Sequence, residues 1–164
     1  MKKKGAGLVI IVVYVDDVIT TGDDEEEIEK VKDLLKAEFD MKDLGPANKI
    51  LGMQIHRDRK DRKIWLSQKN YLRKILRHFN MQDCKSISTP LPVNYKLSSS
   101  MRPSNEAERM EMSRVPYASP VGSLMYAMIC TRQDIAQAVG TISRFIVDPA
   151  REHSHVVTRI LRYI

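Results

Sequence analysis

The chain has 164 residues, 43% of them hydrophobic and 29% charged, with 7 Gly and 7 Pro. That is enough apolar material for one core, or for two small lobes, and it excludes both low-complexity disorder and a multidomain enzyme. The 27 Lys and Arg against 21 Asp and Glu leave a net charge of +6, which permits a polyanionic partner without requiring one. Cys84 and Cys130 have no neighbouring Cys or paired His, so no zinc pattern exists and a reduced, intracellular chain is expected. No apolar run reaches the roughly 18 residues of a membrane span. Lys2-Lys3-Lys4 followed by Leu8 to Val15 imitates a signal peptide. Asp16-Asp17 follow at once, however, with no small-residue cleavage site, so no targeting role is expected.

Charge is unevenly distributed along the chain. Asp16 to Asp43 hold 12 acidic residues and 4 lysines, whereas Arg57 to Arg77 hold 9 basic residues and 2 aspartates. Two solvated helix faces of opposite sign would account for this, and so would an acidic and a basic working surface.

Leu8 to Val15 consists almost wholly of β-formers and predicts a strand buried on both faces. Val18 to Thr21 predicts a second strand, with Asp16-Asp17 as the two-residue turn between them. Asp24 and Glu27 have the spacing of a capping box. Ile28, Val31, Leu35 and Phe39 then recur at helical spacing. Leu44-Gly45-Pro46 breaks the chain. Ile50 to His56 alternates, with Leu51, Met53 and Ile55 on one face. A charged loop then leads to Ile64-Trp65-Leu66 and a second hairpin. Ser67 is placed to cap a helix carrying Tyr71, Leu72, Ile75, Leu76 and Phe79. Residues 85–104, rich in Ser and Pro, predict an exposed connection. Helices follow: one capped at Ser119-Pro120, one from Asp134 to Ile146, and one from Glu152 onward. The class is α+β.

The sharpest chemical feature is Tyr14-Val15-Asp16-Asp17. Two adjacent carboxylates at the tip of a hairpin form a rigid oxygen platform for a hard ion such as Mg²⁺, and a two-metal phosphoryl-transfer site uses such a platform. Asp is also simply a good turn residue, and a tetrapeptide alone does not separate the two explanations.

Longer motifs stand around it in order: Phe39-Asp40-Met41-Lys42-Asp43-Leu44-Gly45, Ile50-Leu51-Gly52-Met53, Trp65-Leu66-Ser67-Gln68, Val121-Gly122-Ser123-Leu124-Met125-Tyr126 and Thr131-Arg132-Gln133-Asp134-Ile135. Together they closely resemble the reverse transcriptase of copia-type LTR retrotransposons over nearly the whole chain after residue 7. The resemblance implies a partial palm over 1–66, with β-hairpins backed by a helix, and a helical thumb over 67–164. It implies that Asp16 and Asp17 are catalytic aspartates holding Mg²⁺ (or Mn²⁺). Tyr14 and Val15 would lie under the primer end and the incoming nucleotide, and Lys42, a weaker candidate, near the departing pyrophosphate, although an ordinary surface lysine fits Lys42 slightly better. Leu51, Gly52 and Met53 would be the primer grip. Arg57, Arg59, Lys60, Arg62, Lys63 and Lys69 would face nucleic-acid backbone.

The partners implied are an RNA template and a DNA primer, with deoxynucleotides engaged only if the upstream palm is supplied; self-association is a further expectation. The implied compartment is intracellular, in the cytoplasm (a virus-like particle) or the nucleus. The family's palm carries another catalytic aspartate upstream and a ribonuclease H region downstream. Neither is found within these residues, so the expectation is a fragment that binds Mg²⁺ weakly and is inactive alone. Gln133 stands where the family has proline, and the Glu152-His153-Ser154-His155 segment lacks its usual tryptophan. A non-catalytic nucleic-acid-binding module, or one that docks on a polymerase, is the alternative. Other candidates are weaker: His153 and His155 read as solvated surface, Gly5-Ala6-Gly7 is too short for a phosphate loop, and Met110, Met112, Met125 and Met128 read as core filling.

Overall fold

The computed structural model describes residues 7–92 and 94–164; the Lys2-Lys3-Lys4 start and Gly5-Ala6 lie outside them. The described residues form five short strands and six α-helices, the mixed composition expected of an α+β sequence. They divide into two compact units, Met1–Leu51 and Gly52–Ile164.

In the first unit, β1 (Val9–Tyr14) runs antiparallel to β2 (Asp17–Gly22). The register pairs Val9 with Gly22 and Tyr14 with Asp17, so the turn is Val15-Asp16 rather than the expected Asp16-Asp17. Gly22 helps to set that register. A Cβ there would stand 2.5 Å from the Leu8 carbonyl oxygen, an approach only glycine tolerates. The second correction concerns burial. Instead of being covered on both faces, Leu8 and Ile10 to Val15 are exposed, from 46% at Ile11 to 83% at Val15. None of residues 7–51 is buried.

α1 (Glu25–Glu38) contacts β2. Its N-cap is Asp24, which accepts from the Glu26 N–H at 2.9 Å. The expected capping box does not form, because Glu27 instead accepts from Lys30 Nζ at 2.7 Å. Ile28, Val31 and Leu35 are half-buried, while Phe39 ends the helix in extended backbone and is 61% exposed. β3 (Lys49–Ile50) completes this unit.

The strand expected over 50–56 is interrupted, since Leu51 (φ 47°) and Gly52 (φ 74°) are both left-handed. β4 (Met53–Asp58) and β5 (Lys63–Ser67) then form the expected hairpin, from Gln54 opposite Ser67 to Asp58 opposite Lys63. Asp58 organises its loop by accepting from the Lys60 and Asp61 N–H groups at 2.9 and 3.0 Å. α2 (Lys69–His78) has Gln68, not Ser67, as its N-cap, although the Ser67 hydroxyl still accepts from Lys69 N–H at 3.3 Å. α3 (Glu106–Ser113) is capped by Asn105. α4 (Ala118–Cys130) begins before Ser119-Pro120, with Tyr117 as its N-cap. The helix expected from 134 to 146 is a short 3-10 turn followed by α5 (Ala136–Ser143), and α6 (Arg151–Tyr163) closes the chain.

Val121, Leu124, Ile135, Val139, Ile142 and Ile160 meet in the core of this unit at 0% exposure, joined by Ile75 from α2. The Tyr117 hydroxyl donates to the Ile142 carbonyl at 2.8 Å, and burial pushes its phenol up to about 12. Met112 is buried and Met125 and Met128 pack on this core, but Met110 is 55% exposed on the outer side of α3.

His153 is also unlike the expectation of solvated surface. It is fully buried, stacked on Phe145 with ring centroids 4.0 Å apart, and its Nδ1 accepts from the Ala150 N–H at 2.7 Å. A polar ring fits there because, as residue N3 of α6, it satisfies the N-cap N–H, the reciprocal half of a capping box. The 85–104 connection is irregular as expected but not free. Ile87 N–H donates to the Arg162 carbonyl at 3.3 Å, Leu91 and Leu97 pack on the core, and Pro103 is buried.

Candidate active site

The Tyr14-Val15-Asp16-Asp17 tip is built by a register that leaves two residues to reverse the chain. Val15 makes that reversal at φ 51°, where a β-branched residue is sterically penalised. Such strain recurs at functional sites, where the surrounding ladder over-determines the backbone. Its effect is to put Asp16 at the apex and Asp17 at the first rung of β2, both exposed. Two adjacent carboxylates suit a hard divalent cation, which typically takes one or two carboxylates and completes its shell with water and phosphate oxygens. No cluster of three or more His, Cys, Asp or Glu suited to a metal ion occurs among the described residues. By their donor chemistry, Asp16 and Asp17 suit such a cation.

Lys42 is exposed in the loop after α1. The neighbouring Asp43 organises that loop: its carboxylate accepts from Gly45 N–H at 2.8 Å and pairs with Lys32 at 3.2 Å. These two partners, the backbone N–H foremost, hold its pKa below the usual carboxylate value. Of the expected primer-grip residues, Leu51 closes the first unit, while Gly52 and Met53 open the second, where Met53 is buried. A Cβ on Gly52 would lie 3.4 Å from the Tyr126 hydroxyl, and its φ of 74° independently favours glycine.

The six basic residues are all exposed, five of them on the β4–β5 hairpin and Lys69 on the helix that follows it. Arg59, Lys60 and Arg62 sit in the four-residue loop, with Arg57 and Lys63 on the strands beside it. Lys69 lies in the first turn of α2, roughly 15–20 Å along the strand direction from Lys63. Arg57 shares a face with Ile55, Ile64 and Leu66, whereas Trp65 and His56 face the other way. Lys63 is paired with Asp61 at 3.0 Å.

Comparison with known proteins identifies the family. A family model described as reverse transcriptase (RNA-dependent DNA polymerase) matches residues 1–93, more than half of the chain, and the chain belongs to that family. The retrovirus-related Pol polyprotein from transposon TNT 1-94 of Nicotiana tabacum is 55% identical over 137 residues, covering 84% of this chain and 10% of that protein. An uncharacterized mitochondrial protein of Arabidopsis thaliana is 36% identical over 130 residues, 79% of this chain and 50% of its own length. The retrovirus-related Pol polyprotein from transposon RE1 of Arabidopsis thaliana is 34% identical over 134 residues, covering 80% of this chain and 8% of that protein. The chain thus spans half or less of each of these relatives. No solved structure matches it. No helix among the described residues is long and apolar enough to cross a membrane.

The sequence pattern carries the carboxylate pair and the basic hairpin. It does not reveal the strain at Val15, because nothing in a Val-Asp dipeptide marks left-handed backbone. Nor does it reveal that His153 is a structural cap, since a His two positions from another His carries no burial signal.

Proposed function

We propose that this chain is the part of a reverse transcriptase that supplies the paired-aspartate wall of the polymerase site, within a palm over 1–66 and a thumb over 67–164. The observation that carries it is the strained hairpin tip, which holds Asp16 and Asp17 together at an exposed apex inside a family-matched segment. Asp16 and Asp17 would hold Mg²⁺ (or Mn²⁺), which when bound would supply Lewis-acid activation of a primer 3′-hydroxyl and charge neutralisation at the phosphate under attack. Tyr14 and Val15 support the primer end and the incoming deoxynucleotide. Leu51, Gly52 and Met53 grip the primer, and Lys42 stands by the departing pyrophosphate. Arg57, Arg59, Lys60, Arg62, Lys63 and Lys69 hold the template and primer backbones by charge, so binding falls steeply with salt.

Two carboxylates do not clamp two ions, so the chain alone is expected to show weak Mg²⁺ binding and no templated incorporation. The test is a chimera in which this sequence replaces the matching segment of the tobacco transposon Pol polyprotein. Incorporation on a primed RNA template is expected in the chimera and should drop by roughly 100-fold or more in Asp16→Asn and in Asp17→Asn, a loss in keeping with removal of a principal electrostatic element. Full incorporation by either variant, or extension by the isolated chain that vanishes in Asp16→Asn, would overturn the assignment.

A further inference from the structure

The second unit contains a cavity that none of the roles above uses. Its volume is about 370 Å³, and it lies between α6 and the loop carrying Pro92 and Tyr95. Pro92, Tyr95 and Val156 form an apolar floor, and His155, Arg159 and Arg162 line the rest. The three basic residues stand at i, i+4 and i+7 on α6, so the helix presents them on one face.

Both arginines are held in place, yet neither is neutralised. Arg159 Nη2 donates to the Thr89 hydroxyl at 2.9 Å, and Arg162 Nε donates to the Lys85 carbonyl at 2.8 Å. No carboxylate pairs with either among the described residues. Elsewhere in this unit Arg132 is paired with Asp134, and Arg151 with Glu111. Arg159 Nε is buried with no hydrogen-bond partner, an unspent donor beside the cavity. Tyr95 is 41% exposed and is positioned by its N–H donating to the Pro92 carbonyl at 3.3 Å.

A half-exposed aromatic ring beside two fixed, uncompensated guanidinium groups is the chemistry that takes one nucleotide of a single strand. The ring stacks on a base, and the forked donors meet a phosphate. The volume lies in the range of small-ligand pockets. We infer that this cavity is a single-stranded nucleic-acid subsite, with Tyr95 as the stacking platform and Arg159 and Arg162 as the phosphate contacts. It is distinct from the basic hairpin, which meets backbone without a base pocket.

The experiment uses the full chain and a fluorescein-labelled ten-nucleotide thymidine oligomer carrying 4-thiothymidine, beside a duplex of equal length. Tyr95→Ala, which removes no cap or core contact, is expected to weaken single-strand binding on the order of tenfold and to leave duplex binding unchanged. Arg162→Gln should lower the salt slope by about 0.7, the value of one single-strand phosphate contact. Irradiation should attach the thiobase to a peptide containing Tyr95. If single-strand affinity and salt slope match the parent chain in both variants, or if crosslinks fall only within residues 56–69, the subsite is refuted while the hairpin role stands. Loss of all binding only when the hairpin charges are reversed has the same meaning.

Discussion

At the scale of single residues, two side chains are held against their intrinsic preferences. Val15 occupies left-handed backbone at a cost of about 1–2 kcal/mol. Val15→Gly removes that penalty and adds some unfolded-state freedom, so the hairpin should gain about 0.5–1 kcal/mol net. Slower amide exchange at Val12 and Val13 would show the gain, and faster exchange would mean that Val15 is not strained. His153 gives a pH dependence. Burial, the largest cause, pushes its pKa below the ordinary value despite the nearby Glu152 and Asp148 charges. The unfolded chain therefore takes up a proton at higher pH than the folded one. Stability from this group is complete above the unfolded value of about 6.5. It is lost as pH falls from there to the folded pKa, below which the loss levels off. Urea denaturation between about pH 7 and pH 5 should show the decline, and His153→Gln should flatten it. An unchanged slope in that variant would assign the effect to another group.

At the scale of elements, the β1–β2 register rests on one close backbone approach. Gly22→Ala would push a methyl group against the Leu8 carbonyl, where no flexible side chain can give way. We expect it to cost about 1–3 kcal/mol and to disturb the tip carrying Asp16 and Asp17. Gly122→Ala and Gly140→Ala meet open space on helices α4 and α5. Each should stabilise its helix by about 0.5–1 kcal/mol. Thermal unfolding of the three variants checks the contrast, and equal effects would remove the role given to Gly22. The helices are readable from apolar spacing because periodicity records which side meets a core. Their first residues are not: Gln68 and Tyr117 begin α2 and α4 without a side-chain cap, since packing sets those ends.

At the scale of the molecule, the fully buried apolar side chains among the described residues all belong to the second unit, while the first presents an exposed apolar hairpin. Burial of a core is what confers global stability, so β1 amides should exchange well before those of α4 and α6. An exposed apolar strand is also a template for another chain. We expect concentration-dependent self-association that Ile11→Lys with Val13→Lys suppresses, measured by light scattering with a dye for exposed apolar surface. A monomer that binds no dye at any concentration would show the hairpin to be covered.

The order of chemical motifs is a property of the chain itself. Tyr14-Val15-Asp16-Asp17, the basic stretch after Met53 and the apolar spacing of α1, α2 and α6 depend only on covalent sequence and local periodicity, so the residues alone make them legible. Tertiary structure decided whatever depends on what faces what. The register moved Asp17 out of the turn and into the ladder, and α6 packing put His153 in the core and His155 at a cavity edge. β1 is exposed, although its composition is that of a buried strand. Composition states how much a segment could gain by burial; only the neighbours present determine whether that gain is realised.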